Sequence, residues 1–234
     1  MRSTFFGMVS VMFVVVAITF MGCSSQATST TSNVSVPTST GTSSANSPPL
    51  ASSSTLPQVG SIVNSTSVFS NNYNWYEYQA ITAAGSKTTT MDMKTEQSTG
   101  TYQGKSAIHN TITVTSSADN YNVVYDSYAD PSNYAILGGT MTTTFNGQKT
   151  TTDIPPIQIS QQAATNFEEA APLTFDGTEP VSVPSGSYPA ANKYTRTVNE
   201  TTISYWSVSG IPVPVKIISN FPSGSITYEL VGWG

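Results

Sequence analysis

Cysteine is almost missing from this chain: Cys23 is the single one. No intramolecular disulfide can form, so the fold does not depend on an oxidising compartment. Histidine is equally scarce, with His109 alone, and one His with one Cys leaves too few soft ligands for a zinc or iron centre. Charge is sparse as well, at 9% of residues and a formal net charge of −5. Without clustered Lys and Arg there is no basic surface of the kind nucleic acids require. Serine is abundant, yet no Gly-x-Ser-x-Gly elbow occurs. These absences leave no catalytic constellation, and the expectation is a protein that is not an enzyme and carries no cofactor and no metal.

The N-terminus carries what the rest lacks. Arg2 is followed by an uncharged, mostly apolar stretch from Thr4 to Met21, then Gly22, Cys23 and the polar Ser24-Ser25-Gln26. A charged start, an apolar core and a small residue before a break make an export-signal pattern. The segment resembles a lipoprotein signal, in which a peptidase cuts before a cysteine whose thiol takes a lipid. That implies a signal peptide over 1–22, lipidation at Cys23 and a membrane partner held through the lipid. Phe20 and Met21 depart from the leucine and small residue that such signals prefer. Two other readings stand beside it: an uncleaved membrane helix, since about eighteen apolar residues approach the spanning minimum, and full secretion. All three put the bulk of the chain outside the cytoplasmic membrane. Two acyl chains suffice for stable attachment.

Residues 24–60 hold no charged residue, and 19 of these 37 positions are Ser or Thr. Pro37, Pro48, Pro49 and Pro57 interrupt them. So little apolar area cannot offset the entropy of ordering, and the composition predicts a disordered linker over 23–65, akin to a glycosylated stalk. Its reach is roughly 35 Å as a flexible coil and roughly 110 Å if extended. Asn33, Asn64 and Asn199 begin N-glycosylation acceptor triplets.

From residue 66 to 234 the pattern changes to β. Tyr73-Asn74-Trp75-Tyr76-Glu77-Tyr78 is rich in strand formers without helical period. Met91 and Met93 alternate with Asp92, Lys94 and Glu96, and Ile108, Ile112 and Val114 oppose His109, Thr111 and Thr113, as in half-buried strands. The turns are read at Gly85-Ser86, Gly100 to Gly104, Asp119-Asn120, Gly186 to Pro189 and Pro222-Ser223-Gly224. Asn146-Gly147 between two Thr-rich runs is the clearest hairpin signal. Pro180 to Pro184 reads as an edge-type strand, because Pro cannot donate to a central ladder. Ser160 to Ala171, stopped by Pro172, is the one helix expected. The fold class expected is mainly β: a single antiparallel, strongly curved sheet or half-open barrel of about ten strands with one short helix.

The run Val183-Pro184-Ser185-Gly186-Ser187-Tyr188-Pro189, the strand ending Lys193-Tyr194-Thr195, Tyr205-Trp206, Ile211-Pro212-Val213-Pro214-Val215-Lys216 and the closing Tyr228-Glu229-Leu230-Val231 carry a resemblance. This part of the chain resembles the C-terminal half of lipoprotein-carrier proteins of the LolA/LppX-like type. The resemblance implies an unclosed antiparallel barrel around an apolar concavity, with helix as a lid and no catalytic motif. Anchor, linker and low charge are similar in style to archaeal and bacterial surface lipoproteins.

Trp75, Tyr76, Tyr78, Met91, Met93 and Trp206 are the residues expected to line a ligand-binding face; cross-strand packing is the competing account of the same residues. His109 is expected to face solvent or a polar network. Asp126 with Asp130, and Glu168-Glu169 with Asp176, are the carboxylate sets with oxygen ligands for calcium, but none has the Gly-punctuated loop spacing. The function expected is that of a lipid-anchored, extracytoplasmic cell-surface protein binding a lipid or other amphiphilic ligand in the concave face of its sheet. The alternative is a structural or envelope-interaction protein contacting surface proteins or glycans.

Overall fold

The computed structural model describes residues 56–234 apart from 66–67, 71, 117, 158–171 and 199. The signal segment 1–22, Cys23, most of the linker, Asn33, Asn199 and the helix expected over 160–171 lie outside the described residues.

Twelve strands among the described residues form one antiparallel sheet. In chain order they are β1 (Ile62–Val63), β2 (Trp75–Ala84), β3 (Lys87–Tyr102), β4 (Lys105–Ser116), β5 (Tyr121–Ala129), β6 (Ile136–Phe145), β7 (Gln148–Ile154), β8 (Leu173–Val183), β9 (Gly186–Val198), β10 (Thr201–Ser207), β11 (Lys216–Phe221) and β12 (Gly224–Trp233). Short turns force sequence neighbours to pair antiparallel, which yields two meanders. One runs from β2 to β7 and the other from β8 to β12. The final strand, β12, then pairs with β2, so the order across the sheet is β1-β8-β9-β10-β11-β12-β2-β3-β4-β5-β6-β7. The chain's last strand thus sits mid-sheet and joins two wings.

β1 falls inside the span read as linker: Val63 pairs with Leu173 and Ile62 with Thr174. The twelve strands among the described residues fit the expected sheet of about ten. The structure also corrects expected turns and strands. β3 continues through Gly100 to Tyr102, and the turn is only Gln103-Gly104, both at positive φ (50° and 78°). The run Ile211 to Ile217 reads as a strand, yet it is a loop as far as Val215 and β11 starts at Lys216, because Pro212 and Pro214 have no N–H to give a ladder. Asn146-Gly147 turns as expected, with φ of 49° and 79°, the geometry of a two-residue hairpin. Pro180 sits in a bulge between Glu179 and Val181, on the part of β8 that β1 does not reach.

Residues directly opposite across paired strands share a face. One face is apolar through the row Phe175, Tyr194, Tyr205, Ile217, Tyr228 and Ala80, read across β8, β9, β10, β11, β12 and β2. A second row holds Leu230, Tyr78, Met93, Val114 and Val123. Leu230 and Tyr228 are fully buried. The β8–β12 wing curls back on itself: Ser185, in the β8–β9 turn, donates its N–H to the carbonyl of Leu230 on β12 at 2.9 Å, four strands away in the sheet order. The sheet does not close, and among the described residues β7 pairs with β6 alone.

Candidate functional site

The six residues nominated as a ligand face divide between the two sides of the sheet. Tyr76, Tyr78 and Met93 are buried on the apolar side, and Met91 is half-buried there. Trp75 alternates to the other side, where the Lys94 ammonium lies 5.7 Å from its ring centroid. Trp206 is also on that second side, opposite Lys193 and Lys216 in the ladders. Its indole N–H donates to Glu179 Oε1 at 2.6 Å, and the Lys193 ammonium stands 5.2 Å from its ring centroid. A period of two sends adjacent aromatic residues to opposite faces, so Trp75 and Tyr76 cannot serve one surface.

The apolar side of the β8–β12 wing and β2 is filled by the chain itself. Val68, Phe69 and Tyr73, from the segment between β1 and β2, pack on the core. Phe69 lies 5.5 Å from Tyr205 and Tyr73 4.9 Å from Tyr76, ring centroid to centroid. The β10–β11 loop completes the cover with Val213 and Val215, both buried. Backbone bonds hold the two segments in place: Ser70 N–H to Pro212 O at 2.9 Å, Val215 N–H to Trp206 O at 2.8 Å and Leu230 N–H to Val215 O at 3.0 Å. The Tyr78 hydroxyl donates to Pro214 O. Burial pushes the Tyr78 phenol well above its ordinary value, with neighbouring Tyr76 and Tyr73 adding to the effect; burial alone does the same to Tyr228. Within this packing three buried hydroxyls, of Thr82, Ser219 and Tyr228, have no hydrogen-bond partner among the described residues.

The opposite side of the β2–β7 wing is polar. Its rows include Glu77, Lys94, Thr113, Val124, Thr142 and Thr151, and Trp75, Glu96, Thr111, Asp126, Thr140 and Asp153. His109 is here and is not isolated. Its Nε2 lies 2.6 Å from Asp126 Oδ1, with side chains 31% and 38% exposed. The imidazole stacks on Tyr128, its cross-strand partner, at 4.6 Å and 8°. Tyr128 stacks in turn on Tyr102 at 4.8 Å and 27°. Gly138 stands opposite Tyr128 on β6, and any Cβ there would collide with the Tyr102 hydroxyl. The missing side chain is what lets Tyr102 lie across β4 and β5. The product is a half-exposed aromatic row flanked by a carboxylate and by Thr111 and Thr140.

The other expected sites resolve as follows. Asp126 is taken up by His109, and Asp130 accepts from the backbone N–H of Ser132 at 2.8 Å and from its hydroxyl, which holds its carboxyl below the ordinary value. Asp176 accepts from the Thr195 hydroxyl at 3.3 Å, while Glu168 and Glu169 lie outside the described residues. Among the described residues no three His, Cys, Asp or Glu side chains converge on a common point. Asn64 is exposed just past β1. A shallow polar hollow of about 450 Å³ is lined by Thr115, Ser116, Asn120, Tyr121, Asn122, Asn146 and Gly147, where two turns meet at one end of the wing.

The pairing of His109 with Asp126 escapes a strand-by-strand reading, although the signal was present. A turn at Asp119-Asn120 sets Ser116 opposite Tyr121, and counting back along that ladder sets His109 opposite Tyr128 and beside Asp126.

No family model matches the chain, and no curated protein matches it. Among solved structures the chain is similar to a DUF1329 family protein from Desulfovibrio piger, at 10% identity and a TM-score of 0.32, over 68% of this chain and 85% of that one.

Proposed function

We propose that this protein is a non-enzymatic contact module, tethered at the outer face of the cell membrane by a lipid on Cys23, that engages surface glycans through the polar side of its β2–β7 wing. The observation that carries this reading is the filling of the apolar side. An acyl chain seated against Tyr205, Tyr76 and Tyr78 would first have to displace Phe69, Tyr73 and Val213. The row Tyr102, Tyr128, His109, by contrast, is half-exposed. Aromatic carbon beside Asp126 and threonine hydroxyls offers apolar contact for a sugar's C–H surface and acceptors for its hydroxyls.

A second reading, an amphiphile held on the apolar side, is favoured by the three partnerless hydroxyls of Thr82, Ser219 and Tyr228. A buried donor without a partner costs about 1–3 kcal/mol, and a bound polar group would relieve it.

Mass spectrometry of the membrane-extracted protein separates the two. The contact-module reading expects a lipid on Cys23 and no stoichiometric co-purified amphiphile. Calorimetry with cell-surface polysaccharide should then show binding that Tyr128→Ala abolishes. A tightly bound amphiphile, or polysaccharide binding indifferent to Tyr128→Ala, would sink the glycan reading. Retention of residues 1–22 would sink the lipid anchor.

A further inference from the structure

β7 is one long edge of the sheet among the described residues. Gln148 to Asp153 are exposed on both faces, and no strand pairs with β7 beyond β6 among the described residues. Across the two-residue Asn146-Gly147 turn, Phe145 and Gln148 are the opposed pair, and the pair flanking such a turn is the hydrogen-bonded kind. Alternation then aims the N–H and C=O groups of Gln148, Thr150, Thr152 and Ile154 at β6. Those of Lys149, Thr151 and Asp153 point away from the sheet, and a row of unpaired groups like this templates another strand. Lys149 and Asp153 are exposed and face only Thr144 and Thr140 on β6. Neither belongs to any of the ion pairs among the described residues.

We propose that β7 pairs with β7 of a second copy of this chain, antiparallel about a twofold axis at Thr151. A twofold axis normal to the sheet keeps each residue on its own face, so the register can change only in steps that preserve the alternation. Centred on Thr151, Lys149 opposes Asp153 of the partner subunit, and Asp153 opposes Lys149 of the partner subunit. Centred on Thr150, Lys149 would meet Thr151 and Asp153 would meet Gly147. Centred on Thr152, Asp153 would meet Thr151 and Lys149 would meet Pro155. One register alone pairs both charges, and in it the outward groups of the two edges also oppose each other, giving about six backbone hydrogen bonds. A lysine on an edge ordinarily blocks strand addition; an aspartate opposite converts the block into a selector of register. The same register brings Ile154 of the partner subunit into the row of Gln148 and Phe145, a phenylalanine that is otherwise 51% exposed. An edge this short makes a weak, concentration-dependent dimer.

The test is sedimentation of the full chain in density-matched detergent over a wide concentration range, with circular dichroism confirming that each variant is folded. A monomer–dimer equilibrium is expected. Lys149→Asp or Asp153→Lys alone sets like charges opposite each other twice per dimer and should weaken association about tenfold; the double variant should restore it. Thr151→Cys, at the axis, should give an oxidised covalent dimer, which the wild-type chain and a Thr142→Cys control should not. A monomer at all concentrations overturns the proposal. So does a dimer that ignores both single reversals or fails to cross-link through residue 151.

Discussion

The two wings are built by the same rule and end up unlike. In the β8–β12 wing, with β2, the apolar side faces a lining made by the chain: Phe69 and Tyr73 from one segment, Val213 and Val215 from another. At the far end of the β2–β7 wing, β7 is exposed on both sides and its residues are mostly threonine and polar. Both wings alternate with period two. The described lining, Phe69, Tyr73, Val213 and Val215, comes from segments that have no period at all. In an open sheet, alternation tells which residues share a face, but not whether anything lies on that face.

The largest expected effect is alkaline unfolding, led by the lined wing. Burial raises the phenols of Tyr78, Tyr205 and Tyr228 above the ordinary value of 10.0. A folded-state value above the unfolded one means the neutral phenol is favoured in the fold. That stability is fully present below about pH 10 and is lost as pH climbs toward the folded-state values. Phenolate absorbance from these residues should therefore appear together with loss of near-ultraviolet dichroism. Ionisation of all tyrosines near pH 10 with the fold intact would mean that the lining does not exclude water.

Substitution comes next. Leu230 is fully buried between the β8–β9 turn and Val215, so Leu230→Ala should cost about 3–4 kcal/mol in urea unfolding. Thr142→Ala, on the polar side of β6 with the Thr151 hydroxyl as a side-chain partner at 3.1 Å, should stay within about 0.5 kcal/mol. Equal costs would erase the distinction between the wings.

The sheet itself was legible in the sequence, because its evidence is local. Asn146-Gly147, the alternation around Met93 and the proline at 180 each act through their own backbone or immediate neighbours. The seam between β12 and β2 was not, since nothing local says that the last strand returns to the middle of the sheet. That seam decides which aromatic residues meet: Tyr228 reaches Tyr78, ring centroids 6.3 Å apart, only because of it. The split of Trp75 and Trp206 from Tyr76 and Tyr78 was legible for Trp75, whose neighbour must point the other way. It was not for Trp206, whose environment depends on Glu179 and Lys193, two strands of another hairpin. His109 was rightly placed on the polar side, but its partner needed the register and not the strand.

Removing part of the lining tests its role more finely. Phe69→Ala withdraws one half-buried ring from Tyr205 while leaving the strands untouched, and should cost about 2 kcal/mol. Hydrogen exchange should rise in β10 and β11 and not in β5 to β7. Exchange rising equally in both wings would show that the sheet opens as one unit rather than wing by wing.

The smallest effect belongs to the polar row. Asp126→Asn keeps the side chain's size and an acceptor oxygen beside His109 but removes the charge. With both partners about a third exposed, solvent screens the pair, and such pairs contribute about 0.2–1 kcal/mol; the expected loss is at the low end, about 0.5 kcal/mol. Tyr128→Ala removes the middle ring of the row and should cost somewhat more, about 1 kcal/mol, since it takes away two stacked contacts. The order matters more than either value. If Asp126→Asn proved costlier than Tyr128→Ala, the carboxylate and not the rings would organise this face, and the surface would have to be read as an electrostatic site instead of an aromatic one.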